Sequence, residues 1–203
     1  MQKILVVIDC QNDFITGSLR NEDAIKAVPR IVEKIKNFNG ERILVTQDTH
    51  SNDYLLTNEG KKLPVVHCVS NTDGWRIEGS IQQALDEAYA RNIDVDYFIK
   101  PTFGSQDLIS FLCSAVGYTK YVEVEFVGFC TDICVVSNVL MAKASLYDKA
   151  EISVDASCCA GVTHKSHQAA LTTMQMCQIN IINNDVVDDE GDVNESGPSN
   201  SDE

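Results

Sequence analysis

Three polar residues stand where short apolar runs stop, and their types suit covalent chemistry. Asp9 closes the run KILVVI (3–8), Lys100 closes YFI (97–99), and Cys134 follows YVEVEFVG (121–128) at the start of a long apolar segment. A cysteine in the first turn of a helix meets free N–H groups and a partial positive charge, which favour the thiolate. A nearby lysine would favour it further, and a carboxylate could accept the thiol proton or hold the lysine. Attacking atom, base and orienting group together make an activated nucleophile. The structural alternative is that Cys134 packs inside its helix and Asp9 and Lys100 form an ion pair.

A second set suits a metal. Asp48 and His50 are two residues apart, and in extended chain that spacing puts both side chains on one face. His67 follows after a stretch without regular periodicity. Carboxylate plus imidazole suits zinc, iron or manganese; the alternative is a pair of structural histidines. His164 and His167 sit at the start of the last helical pattern and read as structural. Ser18 and Ser105 lack a GxSxG context, Gly60-Lys61 lacks the upstream glycine of a phosphate loop, and no GxGxxG follows the first apolar run. A serine hydrolase and a nucleotide-binding protein are therefore disfavoured.

The elements that must position these residues alternate. Residues 3–8, 42–46, 97–99, 121–128, 151–154 and 179–182 read as strands, several of them apolar throughout, as buried parallel strands are. Between them, 23–38, 80–90, 106–116, 131–147 and 163–177 carry helical spacing, with Gly40 and Gly117 as stops. Strand–helix alternation predicts an α/β fold: a three-layer α/β/α sandwich around a six-stranded parallel sheet. Ligands of such sheets bind beyond the carboxyl ends of the strands, where Asp9, Asp48, Lys100 and Cys134 fall. The irregular stretches 11–21 and 48–79 are long enough to be functional loops.

Charge and composition narrow the partners. The 203 residues carry a formal net charge of -14, which argues against nucleic acid. Eight of the acidic residues lie between Asp185 and Glu203, where there is no Lys, Arg or His. That segment cannot bury enough apolar surface to offset its ordering, so the expected organisation is one domain over 1–184 and an acidic disordered tail over 185–203. No apolar run reaches the roughly 18–20 residues a membrane helix needs, and the N-terminus, running straight into Asp9, does not read as a signal peptide. Eight cysteines without a CxxC pair suggest reduced thiols and a cytoplasmic setting.

The segments VIDCQNDF (7–14), KPTFGS (100–105) and GFCTDICV (128–135) together resemble the isochorismatase-like cysteine hydrolases, and TQDTH (46–50) with HCV (67–69) resemble the metal site of that superfamily's nicotinamidase/pyrazinamidase branch. The resemblance spans about residues 3–182. It implies a catalytic triad of Asp9, Lys100 and Cys134. It also implies a cis peptide before Cys130, which would aim the Cys130 N–H, beside that of Cys134, at an oxyanion. One divalent ion would be bound, zinc first and iron or manganese next. Its ligands would be Asp48, His50 and His67, with Glu59 as the fourth and Asp53 as the runner-up. No histidine lies between His50 and His67 to serve instead. Pro64 occupies the position of a stacking aromatic in many relatives, and Ile133 that of a histidine in some. The substrate wall is therefore assigned to Phe14, Phe103 and Phe129, with Tyr54 and Trp75 as alternatives.

The implied activity is hydrolysis of nicotinamide to nicotinate and ammonia through a thioester, a step of NAD salvage. The partners expected are a small-molecule amide and, for assembly, a homo-oligomer, with neither nucleic acid nor membrane. Two other readings stay open: a carbamoyl- or ureido-amide hydrolase of the same superfamily, which would lack the metal cluster, and a non-catalytic binding protein on this fold.

Overall fold

The computed structural model describes residues 2–116 and 121–184. The expected stop at Gly117 and the acidic tail lie outside the described residues.

Six strands form one sheet: β1 (Gln2–Ile8), β2 (Arg42–Asp48), β3 (Asp94–Lys100), β4 (Val122–Phe129), β5 (Ala150–Ala160) and β6 (Asn180–Ile182). Their order is β3-β2-β1-β4-β5-β6 and every pairing is parallel. The apolar run of β1 explains its central place. Ile4, Val6 and Ile8 point into one apolar layer, and Leu5 and Val7 into the other. Helices α2 (Glu22–Asn37) and α3 (Gly79–Ala90) cover the second face through Ala27, Ile31, Ile35, Ile81 and Leu85. Helices α4 (Gln106–Val116), α5 (Val136–Leu146) and α6 (His164–Met176) cover the first through Leu108, Leu112, Val139 and Leu171. The three-layer α/β/α sandwich expected from the alternation is the fold observed.

Four details differ from the sequence expectation. β3 and β5 are longer than their apolar cores, because an edge strand and a bent strand carry polar residues that periodicity discounts. The register of β4 on β5 jumps between Phe126 and Gly128, which bends β5. The segment 11–21 contains a one-turn helix, α1 (Asn12–Ile15). The helix expected over 131–147 starts as a π-helical turn, Thr131–Val135, before α5.

Register sets the edge where polar groups meet. Ile8 pairs with Thr46 on one side and Gly128 on the other, and Asp48 pairs with Lys100. The ends of β1, β2, β3 and β4 therefore stop at one level. Gly128 has φ of 121° and a Cβ there would lie 2.1 Å from the Ile8 carbonyl oxygen, so only glycine permits this approach. β1 and β4 are neighbours where the chain reverses its direction of winding, which is where a doubly wound sheet opens a crevice.

Candidate active site

Asp9 follows β1 with φ of 48°, a conformation that turns its carboxylate inward instead of onward along the strand. Thr46 Oγ1 donates to Asp9 Oδ1 at 2.7 Å. Lys100 Nζ lies 2.6 Å from Asp9 Oδ2, 3.4 Å from Asp48 Oδ1 and 3.5 Å from Cys134 Sγ. All four side chains are buried: Asp9 is 0% exposed, Lys100 1%, Asp48 4% and Cys134 5%. One ammonium thus touches two carboxylates and one thiol in a buried site.

Burial raises the pKa of Asp9, against the opposing pull of Lys100. For Cys134 burial again dominates, Asp9 adds to it, and Lys100 only partly offsets the two, so the thiol is held well above its ordinary value. Lys100 thus pulls toward the thiolate as expected, but burial and Asp9 outweigh it. Cys134 is the fourth residue of a π turn within the core, and desolvation of an anion there outweighs one lysine. Burial alone would lower the pKa of Lys100, but Asp9, Cys134 and Asp48 raise it. The two carboxylates and the thiol around it thus favour Lys100 as the ammonium.

The nucleophile turn is built by the chain around it. The peptide Phe129–Cys130 is cis. The Cys130 carbonyl then accepts from both Ile133 N–H and Val135 N–H at 3.1 Å, so Cys130 and Cys134 belong to one tight turn. Asn138, fully buried one turn on, ties this turn to the Lys100 loop. Its Nδ2 donates to Cys134 O at 2.8 Å and Phe103 O at 3.0 Å, while its Oδ1 accepts from Ser105 N–H at 2.9 Å.

The long loop after β2 folds back beside it. His50 N–H donates to Cys68 O at 2.9 Å and Ser70 N–H to His50 O at 3.0 Å, a short parallel bridge that brings His67 alongside His50. One ligand atom from each of Asp48, His50 and His67 falls within 4.8 Å of the others. Asp48 Oδ2 is 2.9 Å from His50 Nε2 and 3.5 Å from His67 Nε2. Glu59 Oε1 approaches the same two nitrogens at 3.5 and 3.9 Å. Asp53 is exposed and does not join the group.

These residues fit a divalent ion. His67 Nδ1 lies 2.8 Å from the Val65 carbonyl, and donation there leaves Nε2 as a ligand. His50 Nε2 is buried without a hydrogen bond among the described residues although Asp48 Oδ2 is close, so the two groups face a common point more than each other. Burial would raise the pKa of Asp48, but His50, His67 and the charge of Lys100 outweigh it and hold the carboxyl well below the usual carboxylate range. Two imidazoles and one or two carboxylates make an open divalent-metal set.

The aromatic candidates divide. Phe14 is buried with its ring edge-on to His67 at 5.7 Å between centroids. Phe103 is 44% exposed and meets the site through its carbonyl. Phe129 is wholly buried in the apolar layer beneath α2 and α3, so its ring offers no surface to a substrate. Tyr54 packs against both imidazoles, tilted at 4.5 Å between centroids from His50 and edge-on at 4.9 Å from His67. Trp75 Nε1 donates to Thr49 Oγ1 at 2.8 Å.

Sequence reasoning missed Thr46, Gln11, Asp13 and Asn138. Gln11 braces Asp48 in both directions, its Nε2 donating to Asp48 O and its Oε1 accepting from Asp48 N–H, each at 2.8 Å. Asp13 Oδ2 accepts from Cys68 N–H at 2.7 Å, next to His67. Gln11 and Asp13 lie inside the VIDCQNDF segment, which was a signal available for them.

The sequence model of the isochorismatase domain matches residues 3–185. The chain belongs to the isochorismatase family. Solved structures resembling this isochorismatase-family member include the nicotinamidase PncA of Bacillus subtilis, 25% identical, with 89% of this chain and 99% of that chain covered and a TM-score of 0.73. Another is the pyrazinamidase of Pyrococcus horikoshii in complex with zinc, 23% identical over 90% of this chain and 99% of that one, TM-score 0.70. A third is PnC1 of L. infantum in complex with nicotinate, 16% identical over 89% and 92%, TM-score 0.70. No curated protein matches the chain.

Proposed function

We propose that this isochorismatase-family chain is a cysteine amidohydrolase that converts nicotinamide and water to nicotinate and ammonia. The observation that carries the reading is the shared carboxylate. Asp48 touches Lys100 through Oδ1 and the two imidazoles through Oδ2, so the thiol site and the metal-type site are one site. A ureido-amide hydrolase needs no such cluster, and a mere binding module has no use for a buried thiol against an ammonium.

Cys134 Sγ gives its proton to Asp9 and attacks the amide carbon. Lys100, in contact with both, holds them in register and balances the charge that moves between them. The N–H groups of Cys130 and Cys134 receive the oxyanion, a donor whose removal typically costs about 2.7–4 kcal/mol. Asp9 returns the proton to the leaving nitrogen, ammonia departs, and water cleaves the Cys134 thioester to release the acid. Asp48, His50, His67 and Glu59 would hold the divalent ion, zinc in this reading, since two imidazoles with carboxylates suit it and the Pyrococcus relative carries zinc. When bound, that ion supplies a Lewis-acid contact for the pyridine nitrogen and lowers the pKa of bound water. Phe14, edge-on to His67, walls the ring.

The catalytic domain in this reading is 1–184 with 185–203 as an appended acidic segment, and eight free thiols favour a reducing, cytoplasmic setting. Ammonia release is measured from nicotinamide, pyrazinamide and a ureido amide, together with metal content. Turnover of the pyridine and pyrazine amides with about one ion per chain is the expected result. Turnover of the ureido amide alone would refute it.

A further inference from the structure

The π turn that carries Cys134 is not braced by α5 alone. The geometry points to His167 as a positioning residue that holds this turn through Thr131, an inference that rests on the amidohydrolase reading. Thr131 is the first residue of the turn and is fully buried, between Cys130 and Cys134. Its Oγ1 lies 2.8 Å from His167 Nδ1 on α6. No other side chain reaches that hydroxyl among the hydrogen bonds of the described residues.

The surroundings fix His167 as the rest of the site is fixed. α6 begins with a reciprocal cap in which Thr163 Oγ1 accepts from Ser166 N–H and Ser166 Oγ from Thr163 N–H. His167 sits one turn into that helix. Gly161 packs against it so closely that a Cβ there would lie 2.8 Å from His167 Cβ. The residue beside Thr131, Asp132, accepts Val162 N–H with both carboxylate oxygens at 3.1 Å. The β5–α6 corner and α6 thus grip the nucleophile turn at two successive side chains, Thr131 and Asp132.

A π turn has a wider and less regular hydrogen-bond pattern than an α-helix, so the direction of its N–H groups depends on outside support. Of the N–H groups assigned to the oxyanion, that of Cys134 lies in this turn and that of Cys130 at its cap. Loosening Thr131 would therefore misaim the oxyanion donors and Cys134 Sγ without touching the metal ligands or the pocket wall. The expected signature is a fall in kcat at nearly constant KM.

The test is a double-mutant cycle on the metal-loaded full chain, with His167→Ala, Thr131→Val and the double variant, plus His167→Asn and His164→Ala. The readouts are kcat and KM for nicotinamide, metal content, melting temperature, and the rate of iodoacetamide labelling at Cys134 followed by peptide mass spectrometry. Losing the contact from a buried hydroxyl predicts a drop in kcat of roughly tenfold in either single variant. The double variant should fall no further. The Asn side chain can place an amide where Nδ1 stands, so His167→Asn should recover most of the loss. His164, exposed and without this bond, only stacks on the His167 ring at 6.4 Å and should cost far less than either single variant.

Additive losses, an Asn variant no better than Ala, or a loss that tracks melting temperature alone would overturn the assignment. Where His167→Ala does not fold, Thr131→Val and His167→Asn still decide. Where the parent chain releases no ammonia from nicotinamide, it is the amidohydrolase reading that fails; the Cys134 labelling rates still judge the His167–Thr131 coupling.

Discussion

Replacing Lys100 by Met keeps an unbranched stem of similar volume and removes the ammonium. At 1% exposure the stem stays packed, so the consequence is electrostatic. Asp9 Oδ2 loses a partner at 2.6 Å and Asp48 Oδ1 one at 3.4 Å, leaving two buried carboxylates without their shared cation. Removing one member of a buried pair typically costs about 3–5 kcal/mol. For a domain of this length each kcal/mol moves the melting point by about 2–4 °C, so the expected drop is roughly 6–20 °C at pH 7. The loss must depend on pH. Burial already raises the pKa of Asp9, and removing Lys100 takes away the main opposing influence, so its folded-state value climbs further above the unfolded one. A group raised in this way favours the folded state fully only below its unfolded pKa, and that support fades as pH rises through the folded pKa. The gap between variant and parent should therefore widen from pH 5 to pH 8. Thermal unfolding followed by circular dichroism at several pH values measures it, beside ammonia release, which should vanish. A gap of under about 2 °C, or one that does not change with pH, would refute the account of Lys100 as the counter-ion of two buried carboxylates.

Cys134→Ala should end turnover while lowering the melting point by only a few degrees, since a small sulfur at 5% exposure leaves little cavity; residual amidase activity above background would reassign the nucleophile. His50→Ala should lose both metal and activity, whereas Glu59→Ala, whose carboxylate stands 3.5 and 3.9 Å from the imidazole nitrogens, should weaken metal binding roughly 10–100-fold and leave the protein folded; metal titration separates the two. Asp155 is buried against Lys34 at 2.6 Å; although burial works to raise its pKa, hydrogen bonds from Lys34 and Ser157 hold it below the ordinary value. Its contribution is present above the unfolded carboxyl pKa and lost as pH falls through the folded one, so Asp155→Asn should narrow the difference in stability between pH 7 and pH 3, and an unchanged acid limb would count against the pair.

The sequence by itself determined the layers and the level of the site. KILVVI and RILVT are apolar on both sides of the strand, which only a sheet covered on both faces tolerates, and the helical patterns between the strands leave only parallel pairing. Residue type at strand ends then put Asp9, Asp48, Lys100 and Cys134 at one edge. What the sequence could not give was the state of that edge. Helix position and a lysine argue for a thiolate, but the cost of burying a thiolate depends on how much water the surrounding chain excludes, and only packing sets that. The π turn, the return of His67 to His50, and the bracing by Gln11, Thr46, Asn138 and His167 arise from contacts between residues up to 64 positions apart in the chain, as in the Gln11–Trp75 bond. Phe129 shows the same limit from the other side: adjacency to the nucleophile turn suggested a wall of the pocket, but strand alternation turned its ring into the core. Local periodicity fixes which face a residue takes, whereas only the tertiary structure decides which distant groups share the space in front of it.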